Sequence, residues 1–178
     1  MNVNIKHKFQ SLEYQREYLF TLLRDINSYK ANLQLAPDTW SLAQIYYHLY
    51  LVEKRVFDDI TKRLKSHHLA EPAGLKEGYR LAVLKLFLGL PLKFKAPRAV
   101  KDSIPDQVVL DDLNEEWTHL RQAFELLLNV NSDEQLNLKL FKHPRVGLLS
   151  IIQAIDFIKA HHKHHLPQIK NLLSKNSR

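Results

Sequence analysis

The chain has 178 residues, 45% apolar and 25% charged, a composition typical of one globular domain with a buried core. It contains no cysteine, which excludes disulfides, a thiolate nucleophile from the chain and cysteine-based zinc sites, so any metal must be held by His, Asp or Glu. The formal net charge of +7 at pH 7 is compatible with an anionic ligand or nucleic acid, and equally with a solvated basic surface.

Neither a leader nor a membrane span is indicated. The N-terminal stretch MNVNIKHKFQ lacks the apolar segment of a secretory signal. No run approaches the roughly 20 apolar residues of a spanning helix. We therefore expect a cytoplasmic protein without a membrane partner, and because no linker divides the sequence we expect residues 1–178 to form a single domain.

The long apolar-periodic stretches and only four glycines predict an all-α protein with four long helices. The first is predicted from about Lys8 to Lys30. The second opens at Ser41, where SLAQ has the form of a capping box, and runs to about Lys65. The third is predicted from about Pro105 to Val130.

The fourth predicted helix opens at Ser150, where SIIQ repeats the capping-box pattern after the loop HPRVG. A connection of about 40 residues joins the second and third helices, and a stretch of this length is either disordered or an ordered crossover. It contains the apolar helical piece LAVLKLFLGL, residues 81–90, followed by PLKFKAPRAVKDSIP. This apolar content favours an ordered crossover, which would let the second and third helices of a four-helix bundle run parallel.

Histidines cluster in the fourth helix, in HHKHH at residues 161–165. Residues four apart lie on one helix face, so His161 and His165 could meet at one ion. His162 lies in the middle of the apolar stripe and could instead pair with His165 at i, i+3; helix geometry alone leaves both pairings open. A site with an open coordination position needs a third ligand, and the best candidate is His48, whose neighbours on the second helix are apolar.

Several stretches, in this order, resemble the DinB-like (YfiT-like) superfamily: WSLAQIYYHLYLVE (40–53), FKAPR (94–98), and HPRVGLLS (143–150) followed by FIKAHHKHHLPQI (157–169). The resemblance implies a four-helix bundle in up-down-down-up order with a long crossover between the second and third helices. It also implies a divalent metal held by three histidines. By position these are His48, His161 and His165, with Gln168 where the family motif has its Gln, so the resemblance prefers His161 over His162.

Three neutral imidazoles suit Zn²⁺ or Ni²⁺ and leave coordination positions for water or substrate. Such an ion can lower the pKa of bound water, activate a thiolate or polarise a carbonyl. The resemblance implies an enzyme acting on a small molecule, either an S-transferase that uses a low-molecular-weight thiol as a cofactor or a hydrolase. The alternative is a non-catalytic metal-binding or structural bundle.

Other polar residues near these positions receive no catalytic role from the sequence. Glu53, Arg55 and Asp59 follow His48 on the second helix and are as well explained by surface ion pairs. Aromatic packing explains three nearby tyrosines, Tyr46, Tyr47 and Tyr50.

Further residues bear on the loops, on the fourth helix and on partners. His143 is predicted to fix the loop before the fourth helix. Pro167 is predicted to kink that helix after His165.

Three basic residues of the crossover could guide an anionic thiol or simply be solvated: Lys93, Lys95 and Arg98. No nucleic-acid recognition motif is present, so no nucleic-acid partner is expected, whereas a homodimer is compatible with the apolar crossover piece.

Overall fold

The computed structural model describes residues 3–37, 39–65, 70–90 and 102–176. This part of the chain is mostly helical, as the sequence predicts. The elements in chain order are α1 (Val3–Thr21), α2 (Ser28–Asn32), α3 (Leu42–Leu64), α4 (Leu75–Gly89), α5 (Leu110–Val130), α6 (Asp133–Leu136), β1 (Lys139–His143), β2 (Gly147–Ser150) and α7 (Ile151–Asn176).

Two predicted capping boxes are confirmed. Ser41 Oγ accepts from the backbone N–H of Gln44 at 3.2 Å, and Gln44 Oε1 accepts from the backbone N–H of Ser41 at 3.0 Å. At the start of α7, Ser150 and Gln153 exchange the same two bonds at 3.3 and 3.0 Å. Each box satisfies backbone donors that a helix start leaves open, and together they fix where the two histidine-bearing helices begin.

The prediction of one continuous first helix is wrong, because α1 ends at Thr21 and the short α2 follows. Bonds of the i to i−3 type tighten the last turn, from Leu22 N–H to the Leu19 carbonyl at 3.1 Å and from the Thr21 hydroxyl to the Tyr18 carbonyl at 2.7 Å. The Asn27 side chain then caps α2 by accepting from the backbone N–H of Lys30 at 2.9 Å. Such local polar bonds compete with a continuing helix.

The crossover contains α4, which confirms the helical piece predicted at residues 81–90 and extends it at its N-terminal side. This helix packs against α7 and β2. Residues 91–101 lie outside the described residues, and with them the stretch FKAPR and the basic side chains of Lys93, Lys95 and Arg98. The next long helix, α5, begins at Leu110, a few residues later than predicted.

An antiparallel hairpin, β1 with β2, precedes α7, where the sequence predicted only a loop. His143 and Gly147 are its last paired residues. Gly147 has φ +80, a conformation that favours glycine. His143 Nδ1 accepts from the backbone N–H groups of Arg145 and Val146 at 3.2 and 3.3 Å, which agrees with the loop-fixing role predicted for this histidine.

Four long helices contact each other in a ring: α1 packs against α7, α7 against α3, α3 against α5, and α5 against α1. The largest fully buried side chains between them include Trp117, Tyr46 and Phe124. Burial of this apolar surface is the main force that holds the ring together. The contact of α3 with α7 brings the second-helix histidine to face the histidine-rich stretch.

Among the described residues, none of the helices combines the length and the apolar character that crossing a bilayer requires.

Candidate metal centre

Three histidines from two helices come together. His48 lies on α3, and His161 and His165 lie on α7. One ring nitrogen from each lies within 4.8 Å of those of the other two. His48 Nε2 is 3.3 Å from His161 Nε2, and the ring centroids lie 4.7 to 5.0 Å apart. The structure therefore brings together the three residues that the family motif implies.

Local packing fixes these rings. His48 follows the buried start of α3, residues 42–46, and its ring lies at a tilt on that of Trp40, with centroids 4.8 Å apart. His161 lies against Phe157, one turn earlier on α7, at 5.7 Å. Phe157 in turn contacts His143 of the hairpin at 4.7 Å. The sequence analysis did not predict the contact of Trp40 with His48 or that of the hairpin with Phe157. Neither contact follows from a periodic pattern of residues along one helix.

The separation between the His48 and His161 nitrogens fits a shared ion. Two nitrogens bound at about 2.0–2.1 Å to one tetrahedral zinc lie about 3.4 Å apart, and the observed distance is 3.3 Å. The Nδ1 atoms of both rings are buried and have no hydrogen-bond partner among the described residues. An ion on the facing Nε2 lone pairs would fix the tautomer of both rings, which this part of the chain does not fix by itself.

Burial keeps the three imidazoles uncharged at neutral pH. It lowers the pKa of His48 to about 3, with the neighbouring His165 adding to the effect. Burial also lowers the pKa of His165 to about 4. The pKa of His161 is well below its ordinary value because of burial and of the adjacent His165 and His48. Three unprotonated ring nitrogens within 4.8 Å of one another form a donor set for a divalent cation.

Gln168 fixes the orientation of His165. The Nδ1–H of His165 donates to Gln168 Oε1 at 3.0 Å. With its proton on Nδ1, the ring keeps the lone pair of Nε2 for an ion. Histidines that bind metals commonly donate their other ring N–H to such an acceptor.

Removing this acceptor is expected to weaken zinc binding by about 10- to 100-fold, since partners of this kind have that effect elsewhere. Gln168→Ala tests the acceptor, and Gln168→Glu, which keeps an oxygen at the same place, is the matched control. Zinc titration against a chelator of known affinity measures both. Equal affinities for the wild type and Gln168→Ala would show that the hydrogen bond does not support the ligand.

His162 lies apart from the three-histidine cluster. Its side chain is 3% exposed and faces the bundle interior, where its ring meets Trp117 edge-on at 5.6 Å. Of the two pairings that helix geometry left open, the structure thus brings His161 to His48 and leaves His162 in the core. His164 donates from Nδ1 to the Leu88 carbonyl at 2.7 Å and ties α7 to the end of α4, a contact that the sequence did not predict.

The acidic and basic residues that follow His48 have structural partners. Glu53 is buried in an ion pair with Arg121, so the expectation of a surface ion pair is wrong for this residue. Asp59 accepts from Arg63 and from the backbone N–H of Lys142. Arg55 donates to Ser103 Oγ.

The three tyrosines of this stretch contribute packing and hydrogen bonds. The Tyr46 hydroxyl donates to the Leu19 carbonyl. Tyr47 and Tyr50 pack on each other with ring centroids 6.0 Å apart. These contacts agree with the packing role that the sequence suggested. The helix α7 continues through Pro167 to Asn176, and the kink predicted at this proline stays a prediction.

A family model described as the DinB superfamily matches residues 11–169, a span that covers most of the chain and all three clustered histidines. No curated protein matches the chain.

Proposed function

The chain belongs to the DinB superfamily, and from this premise we propose that it is a divalent-metal-dependent enzyme whose ion is held by His48, His161 and His165. One observation carries the proposal: three imidazole nitrogens from two helices lie within 4.8 Å of one another. Burial keeps these rings unprotonated, and imidazole suits Zn²⁺ and Ni²⁺.

We propose that the ring of α1, α3, α5 and α7 is the up-down-down-up four-helix bundle of this superfamily, in one domain of residues 1–178. The contacts among the four helices support this, since each packs against two others of the ring. Two neighbouring helices that run parallel need a long crossover between them, and the connection that contains α4 is long enough for this.

Each residue of the cluster has a separable task. The three histidines would hold the ion, and Gln168 sets the ring orientation of His165 through the bond to Oε1. Trp40 covers one face of His48. When bound, the ion would supply Lewis-acid chemistry at a coordination position that three protein ligands leave open.

The reaction we propose is S-transfer with a low-molecular-weight thiol, or a hydrolysis at the same centre. The chain has no cysteine, so the sulfur must come from a small molecule. The carboxylates of Glu53 and Asp59 form ion pairs with Arg121 and Arg63. We therefore assign neither of them as the base that removes a proton from a thiol. A cation lowers the pKa of a thiol bound to it, which makes the three-histidine cluster the place where a thiolate would form.

Turnover by protein purified without a tag or nickel column tests this proposal. The protein is loaded with Zn²⁺ or Ni²⁺ and offered thiols such as bacillithiol and mycothiol, each with a panel of electrophiles, and separately a panel of hydrolysable esters and amides. We expect turnover that needs the metal and is absent from His48→Ala. A metal-loaded protein that turns over none of these substrates would favour the alternative, a non-catalytic metal-binding bundle.

A homodimer and the absence of a nucleic-acid partner stay predictions. Exposed apolar side chains on and after α4 support a self-contact, namely Leu75, Tyr79, Leu86, Phe87 and Leu90. Sedimentation velocity over a range of concentrations measures the oligomeric state. Salt-dependent DNA binding would contradict the second prediction.

A further inference from the structure

A buried charged cluster lies in the interior of the ring, and the proposed function does not use it. Its centre is the ion pair of Glu53 and Arg121, whose side chains are 0% and 2% exposed. Glu53 Oε2 accepts from Arg121 Nη2 at 2.8 Å and from Trp117 Nε1 at 3.1 Å. Arg121 Nη1 also donates to Glu13 Oε1 at 2.7 Å. We refer to these residues together with His162 as the Glu53 cluster.

All four helices of the ring meet at this cluster. Glu13 comes from α1, Glu53 from α3, Arg121 and Trp117 from α5, and His162 from α7. His162 Nε2 is 3.8 Å from Glu53 Oε2, too far for a hydrogen bond. The histidine therefore joins by packing its ring edge-on against Trp117. The ion pair thus joins α3 to α5 and, through Glu13, to α1, and α7 meets this group through the ring of His162.

Stability alone does not account for such a cluster. Desolvation of two charges often costs as much as their attraction returns, so well-packed apolar residues of similar volume are frequently as stable or more so. Burial raises the pKa of Glu53, and the adjacent Arg121 opposes that rise. A buried ion pair differs from apolar packing in being directional. The guanidinium and the carboxylate bind each other in a defined geometry.

The Glu53 cluster is adjacent to the three histidines along both helices that carry them. Glu53 follows His48 by five residues on α3, about 7.5 Å along the helix axis. His162 is the chain neighbour of His161 on α7. A sliding or rotation of α3 against α7 at the cluster would therefore be passed directly to the separation of the His48 and His161 nitrogens, which is 3.3 Å.

We propose that Glu53 and Arg121 are positioning residues that hold α3 and α7 at the spacing the three histidines need to bind one ion. This rests on the proposed function, since it concerns the same centre. Neither residue is one of the three candidate ligands. They act through the placement of the helices, so their replacement changes the metal site even where the protein remains folded.

Cobalt binding by an apolar replacement tests the proposal. Glu53→Leu combined with Arg121→Met removes the two buried charges together. Glu13 keeps Arg16 as a partner at 3.7 Å, while Trp117 Nε1 loses its acceptor. We expect this variant to fold with a somewhat lower thermal stability than the wild type, because the buried Trp117 N–H loses its acceptor. We expect its Co²⁺ affinity to fall about 10-fold or more, in line with other groups that support metal ligands. The visible absorption spectrum of bound Co²⁺, which reports coordination geometry, should change as well.

A second interhelical ion pair provides the matched control. Lys8 and Asp156 join α1 to α7 at 2.7 Å and are partly buried, and Asp156 precedes His161 by five residues. Lys8→Met combined with Asp156→Leu should leave the Co²⁺ affinity and spectrum unchanged. An equal change in both double variants would show a general loosening of the bundle and overturn the proposal.

The remaining outcomes separate this inference from the proposed function. If the wild type binds Co²⁺ and the apolar Glu53 variant binds it with the same affinity and spectrum, only the positioning role is overturned. If the wild type binds no Co²⁺, the metal centre fails and this inference fails with it. Glu53→Gln, which keeps the shape of the side chain, is measured in parallel and should shift affinity and spectrum in the same direction, so the test does not depend on the folding of one variant.

Discussion

Replacement of His48 by alanine is expected to lower the zinc affinity by more than about 100-fold, because loss of a ligand should exceed the loss of a group that merely supports one. His48 is the single ligand that α3 supplies, and its Nε2 faces His161 Nε2 at 3.3 Å. Without it, the remaining i, i+4 pair on α7 offers only two imidazoles. Zinc content after purification without a tag or nickel column, and a chelator competition titration, measure the effect.

His119→Ala is the matched control, since His119 also lies on a ring helix but is exposed. It should bind zinc as the wild type does. Circular dichroism of the metal-free variants establishes that each is folded. A zinc affinity that is the same in the wild type, His48→Ala and His119→Ala would mean that the chain binds zinc somewhere other than the three-histidine cluster.

The metal-free protein is expected to lose stability steeply below about pH 6.5. The pKa of His48 is lowered to about 3 and that of His165 to about 4, against about 6.5 in an unfolded chain. Between these values the unfolded state binds more protons than the folded state, so the free energy of unfolding falls as the pH falls. Each histidine contributes up to about 1.4 kcal/mol per pH unit. Together the two remove about 3 kcal/mol between pH 6.5 and pH 5, a substantial part of the about 5–15 kcal/mol typical of a folded domain.

Urea unfolding of the chelator-treated protein from pH 7.5 to pH 5 measures this dependence. In His48→Ala the slope against pH should be shallower by up to about 1.4 kcal/mol per unit, since one titrating group is gone. Saturating zinc should raise the stability at neutral pH by mass action on the folded state. A free energy of unfolding that stays flat from pH 6.5 to pH 5 would contradict the picture of buried, uncharged imidazoles.

The helix starts at Ser41 and Ser150 were predictable because a capping box is local, four residues read in sequence. The pairing of His161 with His48 was not predictable in this way. Helix geometry allowed either His161 or His162, and only the family motif preferred the first. The choice depends on how α7 is rotated against α3, which packing of the whole ring decides. His162 is the neighbour that this rotation turns toward Trp117 in the core.

Neither the Glu53 cluster nor the hairpin was predicted from the sequence. From the sequence alone Glu53 was expected at the surface. Its partner Arg121 is 68 residues away on another helix, so no local pattern indicates the buried ion pair. The strands β1 and β2 are short, and their sequence KLFKHPRVGLLS has a turn signal but little alternation. The end of α1 was also missed, because its apolar periodicity continues past Thr21 while i to i−3 bonds end the helix there and Asn27 starts a new helix.

The central claim is that one divalent ion is bound by His48, His161 and His165. A crystal structure of the zinc-loaded protein, with anomalous data collected on both sides of the zinc absorption edge, tests it most directly. We expect one anomalous peak at the three-histidine cluster, about 2.0–2.1 Å from one nitrogen of each ring. A fully loaded protein whose anomalous peak lies elsewhere, with these three rings bound to no ion, would contradict it.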